Sequence, residues 1–221
     1  MSKRIVRKKR VKPTKSSTRS ILSWIWYILW EDDSWYSWII SAVVAFILIK
    51  FVVYPVLGFI VGTGFPIVAV VSSSMEHPGG FDSFWEDKAF CREGLCTQGE
   101  YYNELSITRE GFREFPFKNG FNKGDIMLLY GRSNIDVGDV IVFMSRGGQP
   151  IIHRVVAVSE KDGKPVYQTK GDNNEASIKL NMLNEYDIPG EVIIGEAKAR
   201  VPFLGYVKIG FVWLLEVLQI M

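Results

Sequence analysis

The sequence predicts a mostly β protein: an antiparallel β domain, anchored in a membrane by an N-terminal transmembrane helix and followed by an apolar C-terminal segment. An apolar run at residues 37–62 is long enough to cross the hydrocarbon core of a bilayer. From Gly124 onward, short runs rich in β-branched residues alternate with turns that contain Gly or Pro. That alternation is typical of antiparallel strands.

The N-terminal arm, residues 1–20, is strongly basic, and nine Lys and Arg residues precede the first acidic residue, Glu31. A basic arm placed directly before an apolar run indicates membrane topology, with the basic side in the cytoplasm. The rest of the sequence has no second basic patch with interleaved aromatic residues, so no nucleic-acid partner is expected. The β domain, residues 63–201, is therefore expected outside the cytoplasm, at the surface of a cell membrane.

The Trp-rich segment at residues 21–36 is too short to be a second span. Its apolar part, Ile21–Trp30, has about half the length that a crossing helix needs. Tryptophan is enriched at membrane–water interfaces, so we interpret this segment as interfacial. Within the transmembrane run, Lys50 is expected to extend its charge toward the interface, and Pro55 to kink or end the helix.

Two segments lie outside the regular strand pattern. Residues 79–123 are rich in Gly and aromatic residues, and their length predicts an excursion or small subdomain rather than a structureless loop. Within them, Cys91 and Cys96 are either a local disulfide or two free thiols. Residues 202–221 are apolar but contain one lysine and one glutamate, which favours a membrane-associated helix over a full span. The expected strands are 125–130, 139–145, 151–158, 165–170 and 191–201.

The candidates for chemistry are few. The chain has two histidines, His77 and His153, and a run of three serines ends at Ser74. A serine nucleophile needs a base within hydrogen-bond reach and usually a third group that orients the base. Taken singly, His153 in a strand is more typical of a packed, hydrogen-bonded side chain than of a catalyst. Asp172 in a Gly-Asp turn is likewise typical of a residue that caps its own turn. No metal site and no cofactor are expected, because the histidines and cysteines lack any ligand spacing.

The order of the motifs is more informative than any one of them. An apolar span is followed by a serine motif, then by a strand with His-Arg-Val-Val, and then by a Gly-Asp-Asn-Asn turn. Over residues 38–207 this order resembles the type I signal peptidases, in the branch found in archaea and the endoplasmic reticulum. The stretches that carry the resemblance are VVSSSMEHP, GDIMLLYG, VGDVIVF, IIHRVV and TKGDNN.

The resemblance implies a role for each matching residue. Ser74 matches the family's nucleophile, and Ser72 matches a serine whose hydroxyl stabilises the oxyanion together with the Ser74 backbone N–H. His153 matches the base, and Asp172 matches an aspartate expected to orient it. Ser177 lies where bacterial relatives place a serine beside a lysine base. No substrate-binding residue is identified.

The chain departs from the family pattern at two places. His77 is inserted between Glu76 and Pro78, where the family usually has Ser-Met-Glu-Pro. We expect His77 to lie in a mobile loop, where it could compete with His153 as a base. The second aspartate that often follows the Gly-Asp-Asn-Asn motif is missing, and Ile178 stands near that place.

The function implied by the resemblance is that of a membrane-bound serine endopeptidase, which removes N-terminal signal peptides from exported proteins. Its expected partners are signal-peptide-bearing preproteins, membrane lipid and the protein-export machinery. Two alternatives remain open at this point. One is a non-catalytic membrane-anchored β module that scaffolds secretion partners. The other is a protease that uses Lys170 as its base, although Lys170 is more simply interpreted as a solvated strand end.

Overall fold

The structure is a computed structural model, and it describes residues 18–32, 34–131 and 134–206 together with the single positions 210, 213 and 217. Most of the basic arm and most of the C-terminal segment therefore lie outside the described residues. The chain divides into two compact units, Met1–Val56 and Leu57–Met221. Each unit is described by itself.

The N-terminal part is helical, and one stretch of it, Trp35–Val61, is long and apolar enough to cross a membrane. No other described helix meets that description. Pro55 does not end the helix, which continues to Val61. A π-helical turn ends at Val53, two residues before this proline, whose missing N–H cannot complete the regular helical hydrogen-bond pattern. The helical elements are α1 (Thr18–Trp30), α2 (Trp35–Leu48), the π turn (Ile49–Val53) and α3 (Tyr54–Val61).

A seven-stranded antiparallel sheet forms the centre of the second unit, with strand order β1-β4-β9-β5-β6-β7-β8. The antiparallel β domain predicted from the alternating pattern is thus confirmed. Two short strands, β1 and β8, had no clear signal in the sequence. The strands are β1 (Ile67–Ala69), β4 (Ile126–Tyr130), β5 (Val140–Met144), β6 (Pro150–Lys161), β7 (Lys164–Lys170), β8 (Ile188–Pro189) and β9 (Ile193–Val201).

The pairing of β6 with β7 sorts their side chains onto two faces of the sheet. Arg154 is opposite Lys170, and Val155 is opposite Thr169. Because successive side chains on a strand point to opposite faces, His153 shares one face with Thr169, and Arg154 shares the other with Lys170. Each face is covered by a buried apolar cluster, so both of these polar pairs are placed inside the domain.

Residues 79–123, the segment expected to be an excursion or subdomain, have secondary structure of their own. This subdomain contains α4 (Phe81–Trp85), the hairpin of β2 (Lys88–Cys91) and β3 (Gly94–Thr97), α5 (Gln98–Glu104) and α6 (Arg109–Glu114). The two cysteines form a disulfide across this hairpin. The subdomain packs its aromatic residues onto β6, on the face that carries Arg154. Its buried cluster consists of Phe84, Trp85, Tyr102, Ile107 and Phe112, with Val156 of β6.

Candidate active site

Ser74 lies in the turn that follows β1, and its neighbours fix its position. Met75 is fully buried in the core, so the turn is anchored directly after the serine. The backbone N–H of Asn173 donates to the Ser74 carbonyl oxygen at 2.8 Å. The Asn173 side chain donates to the Ser73 carbonyl at 3.1 Å. The serine turn is therefore held against the turn that follows β7.

His153 is the histidine that reaches the serine. Its Nε2 atom lies 2.9 Å from the Ser74 Oγ atom. The ring is almost completely buried, and β6 holds it in place through its pairing with β5. Ser72 is exposed, and its Oγ atom lies 3.2 Å from that of Ser74. The structure thus brings together the expected nucleophile, the expected base and the serine expected at the oxyanion.

Glycine is required at position 171 because the backbone there passes close to Ser74 and His153. A Cβ atom at Gly171 would lie 2.8 Å from His153 Nε2 and 2.9 Å from the Ser74 carbonyl oxygen. Neither atom can move without disturbing the serine–histidine contact. Only a residue without a side chain leaves that space open.

The carboxylate beside His153 belongs to Glu185. Its Oε1 atom lies 2.5 Å from His153 Nδ1. The same oxygen accepts the Thr169 hydroxyl at 2.9 Å, and Oε2 accepts the Ile178 backbone N–H at 2.8 Å. Glu185 is fully buried and lies in the return toward β8. The sequence analysis did not identify it, since a glutamate between strands carries no spacing signal.

The position of Asp172 differs from the expectation that it orients His153. Its carboxylate accepts two hydrogen bonds from the Arg154 guanidinium, at 2.9 and 2.7 Å, one from Tyr102 at 3.1 Å, and it contacts His77 Nε2 at 3.0 Å. Burial opposes ionisation, but the Arg154 charge and the hydrogen bonds from His77 and Arg154 outweigh it and hold the pKa of Asp172 well below its ordinary value. The residue that the resemblance assigned to His153 therefore serves a different histidine.

His77 is also not where the sequence analysis expected it. It is buried rather than in a mobile loop, and its ring stacks on Phe84 with centroids 3.8 Å apart. The close approach of Gly120, where a Cβ atom would lie 2.8 Å from the ring, completes the enclosure. Because its Nε2 atom is engaged by Asp172, this ring is not directed at Ser74.

Lys170 is fully buried, not a solvated strand end. Its Nζ atom donates to the Gln98 side chain and to the carbonyls of Gly171 and Asp172, at 2.7, 3.1 and 2.9 Å. Burial lowers the pKa of Lys170 to about 7, a value that would suit a base. Geometry decides against that role, because the ammonium faces three oxygens of other residues while His153 contacts Ser74.

Ser177 is buried away from the imidazole, and its hydroxyl donates to the Thr169 carbonyl at 2.7 Å. Its other neighbours are Tyr101 at 3.2 Å and Gln168 at 3.1 Å. The serine thus ties α5 of the subdomain to β7. In this chain its position indicates a packing contact.

A serine hydroxyl within hydrogen-bond reach of a buried imidazole, in a β domain preceded in the sequence by a candidate membrane span, is the arrangement expected of a serine hydrolase. No family model matches the chain. Three curated relatives carry the name signal peptidase complex catalytic subunit SEC11. The relative from Eremothecium gossypii is 42% identical over 122 residues, covering 53% of this chain and 71% of its own. That from Lachancea thermotolerans is 37% identical over 135 residues, covering 56% and 73%. That from Colletotrichum graminicola is 37% identical over 122 residues, covering 53% and 69%.

The chain belongs to the type I signal peptidase family, in the branch of these SEC11 catalytic subunits. It is therefore a serine endopeptidase that removes signal peptides.

Proposed function

We propose that Ser74 is the nucleophile of signal-peptide cleavage and His153 its general base. The observation that carries this proposal is the 2.9 Å separation of Ser74 Oγ and His153 Nε2, which is within the range for proton transfer along a hydrogen bond. The burial of the imidazole supports the assignment, because a packed strand residue keeps one orientation toward the serine.

The reaction is acyl transfer in two steps. Ser74 Oγ attacks the scissile carbonyl as its proton passes to His153 Nε2, and a tetrahedral oxyanion forms. The imidazolium then protonates the leaving amine, and the signal peptide remains as an ester on Ser74. Water, deprotonated by the same imidazole, hydrolyses that ester. We assign the oxyanion to the Ser72 hydroxyl, 3.2 Å from Ser74 Oγ, and to the backbone N–H of Ser74.

The edge of the sheet beside Ser74 suits an extended substrate. Strand β1 is the first strand in the sheet order, and it ends five residues before the nucleophile. A preprotein segment added to this edge as a further strand would bring its cleavage site to the serine turn. Backbone hydrogen bonds would then supply most of the affinity, leaving side-chain selection to the residues next to the cut.

The membrane anchor places the enzyme beside its substrate, because the apolar segment of a signal peptide lies in the membrane. We propose that residues 1–20 lie in the cytoplasm, that Trp35–Val61 spans the membrane once, and that the β domain acts on the opposite side. The relatives' name supports assembly of this subunit in a signal peptidase complex. Protease added to sealed vesicles of known orientation should digest the β domain and the basic arm from opposite sides.

The decisive test compares Ser74→Ala with Ser73→Ala in membranes that contain the full chain. Ser73 is an exposed neighbour and controls for any change in the turn. Cleavage of a preprotein should fall to background in Ser74→Ala and stay near wild type in Ser73→Ala. Equal cleavage by Ser74→Ala and wild type would contradict the assignment of Ser74 as the nucleophile.

A further inference from the structure

Glu185 has a carboxylate that the proposed mechanism does not yet use. We propose that Glu185 is the positioning residue of His153: it fixes the imidazole with Nε2 toward Ser74 and supplies the counter-charge when the imidazolium forms. This inference rests on the proposed roles of Ser74 and His153. It replaces the expected Asp172 with an acid from another segment of the chain.

The surroundings of Glu185 require an acceptor at both oxygens. Oε2 faces the backbone N–H of Ile178, which can only donate. Oε1 faces the Thr169 hydroxyl as well as His153 Nδ1. An ionised carboxylate accepts at both oxygens, whereas an amide of the same shape must turn its NH₂ group toward one of these donors. The pocket is therefore selective for the charged acid.

This arrangement also sets the tautomer of the imidazole. If Glu185 only accepts, the proton of neutral His153 lies on Nδ1, because each neutral imidazole has one donor and one acceptor nitrogen. The lone pair is then on Nε2, the atom that faces Ser74 Oγ. That is the protonation state in which the imidazole can take the serine proton.

Two hydrogen bonds hold the backbone of Glu185 in place. Its N–H donates to the Ile178 carbonyl at 2.8 Å, and its carbonyl accepts the Thr169 N–H at 2.9 Å. These two hydrogen bonds attach Glu185 to the end of β7 and to an earlier part of the return. A carboxylate on a backbone held at two points keeps its direction, as orientation of a base demands.

Asp172 cannot take the same role, because its acceptor sites are filled. A carboxylate offers about four lone-pair positions, and the four contacts from Arg154, Tyr102 and His77 occupy them. Its charge is also balanced by Arg154. The other buried charge nearby is the ammonium of Lys170, which interacts electrostatically with both Asp172 and Glu185.

The test uses the full chain in membranes or detergent and compares Glu185→Gln with Asp187→Asn. Asp187 lies two residues further along the same return and is partly exposed, so it controls for a change of charge in this segment. Three quantities are measured for each variant: the melting temperature, kcat/KM for preprotein cleavage as a function of pH, and the rate at which Ser74 reacts with a fluorophosphonate probe. Ser74→Ala is included as the reference for loss of the nucleophile.

For Glu185→Gln we expect kcat/KM and the probe rate to fall about 10²–10⁴-fold, as when the carboxylate of a catalytic triad is neutralised. The acid limb of kcat/KM should move to lower pH, because the protonated imidazole loses its counter-charge. Asp187→Asn should match wild type in all three quantities. A folded Glu185→Gln protein with a wild-type probe rate and pH profile would overturn the role of Glu185. Cleavage by Ser74→Ala would instead overturn the proposed function.

A second measurement needs no variant of Glu185. In protein labelled with ¹⁵N-histidine, the ring whose signals move when Ser74 is acylated belongs to His153. At neutral pH this ring should show its proton on Nδ1. A proton found on Nε2 alone would contradict the proposal even if Glu185→Gln fails to fold.

Discussion

Two buried histidine–carboxylate pairs lie in this domain, and one of them contacts Ser74, the proposed nucleophile. His153 contacts Glu185 at 2.5 Å and Ser74 at 2.9 Å, whereas His77 contacts Asp172 at 3.0 Å and stacks on Phe84. The Asp172 carboxylate is neutralised by Arg154. Among the described residues, Glu185 has no Arg or Lys within ion-pair distance, and its contact of this kind is with His153. A buried histidine and acid therefore do not make a catalytic pair until the other ring nitrogen reaches a reacting atom.

The largest effect should separate the two histidines. We expect His153→Ala to lower kcat/KM about 10⁴–10⁶-fold, because Ser74 loses its base. We expect His77→Ala to change kcat/KM of the folded protein by less than about tenfold and to lower the melting temperature instead. Preprotein cleavage and thermal unfolding, measured on the same preparations, check both statements. A folded but inactive His77→Ala protein, together with a His153→Ala protein that still cleaves, would contradict the roles given to the two histidines.

A second effect should separate the two acids through pH. The pKa of Asp172 is depressed by Arg154 and His77 despite its burial, so its contribution to the unfolding free energy is complete above about pH 4–5. It is lost progressively as the pH falls and the unfolded chain takes up the proton. Asp172→Asn should cost about 3–5 kcal/mol at neutral pH, since Arg154 stays buried without its partner.

The pH dependence of the unfolding free energy tests the predicted contribution of Asp172. Unfolding free energy, followed by denaturant titration from neutral pH downward, should fall less steeply with pH in Asp172→Asn than in wild type. Asp82→Asn is the control, because Asp82 is an exposed acid that also pairs with arginines. An equal acid slope in wild type and Asp172→Asn would show that the Arg154 pair does not dominate acid stability.

The third effect concerns the space around the His153 ring. Gly171→Ala would place a methyl group 2.8 Å from His153 Nε2, and displacement of the ring by about 1 Å costs on the order of 10²-fold in rate. Gly64→Ala is the matched control, because a Cβ atom there meets no heavy atom within 4 Å. Steady-state kinetics should show the loss in kcat/KM for Gly171→Ala alone. Wild-type kinetics in a folded Gly171→Ala protein would contradict the close approach.

The smallest effect should come from the hairpin of the subdomain. Replacing Cys91 and Cys96 by serine removes a cross-link over a very short loop, which is worth about 2 kcal/mol. The hairpin contacts the segment that follows β7 through one backbone hydrogen bond, from the Phe90 N–H to the Glu175 carbonyl. We therefore expect a lower melting temperature with kcat/KM within about threefold of wild type. Activity lost on reduction of the folded protein would show that the hairpin controls the site.

The sequence supported prediction of the sheet and of the serine–histidine contact, but not of the third residue. Strand alternation and the turns between strands are local signals, and they indicated the main strands correctly. Ser74 and His153 were found because they belong to ordered motifs. Glu185 was missed because its position depends on how the return after β7 folds back, a tertiary contact that no spacing encodes. Asp172 was assigned to His153 by resemblance, while the side chain that draws it away, Arg154, lies next to His153 itself.

The burial of Lys170 was missed for a related reason. At the end of a strand, a lysine is usually solvated, and the side chain that accepts its hydrogen bond is distant in the sequence. The partner, Gln98, comes from α5 of the subdomain, 72 residues away. Its amide group also donates to the carbonyls of Lys88 and Asn174. The subdomain thus supports the turn that follows β7, although its sequence shows little periodicity.

The residues of the site are far apart in the sequence, and this separation determines when the site can assemble during synthesis. Ser74 is 79 residues from His153, and His153 is a further 32 residues from Glu185. A ribosome that has made the membrane segment and the serine turn has not yet made the base, and a domain generally folds as one unit. In the proposed mechanism, the nascent chain therefore has no base for Ser74 until β6, which carries His153, has joined the sheet.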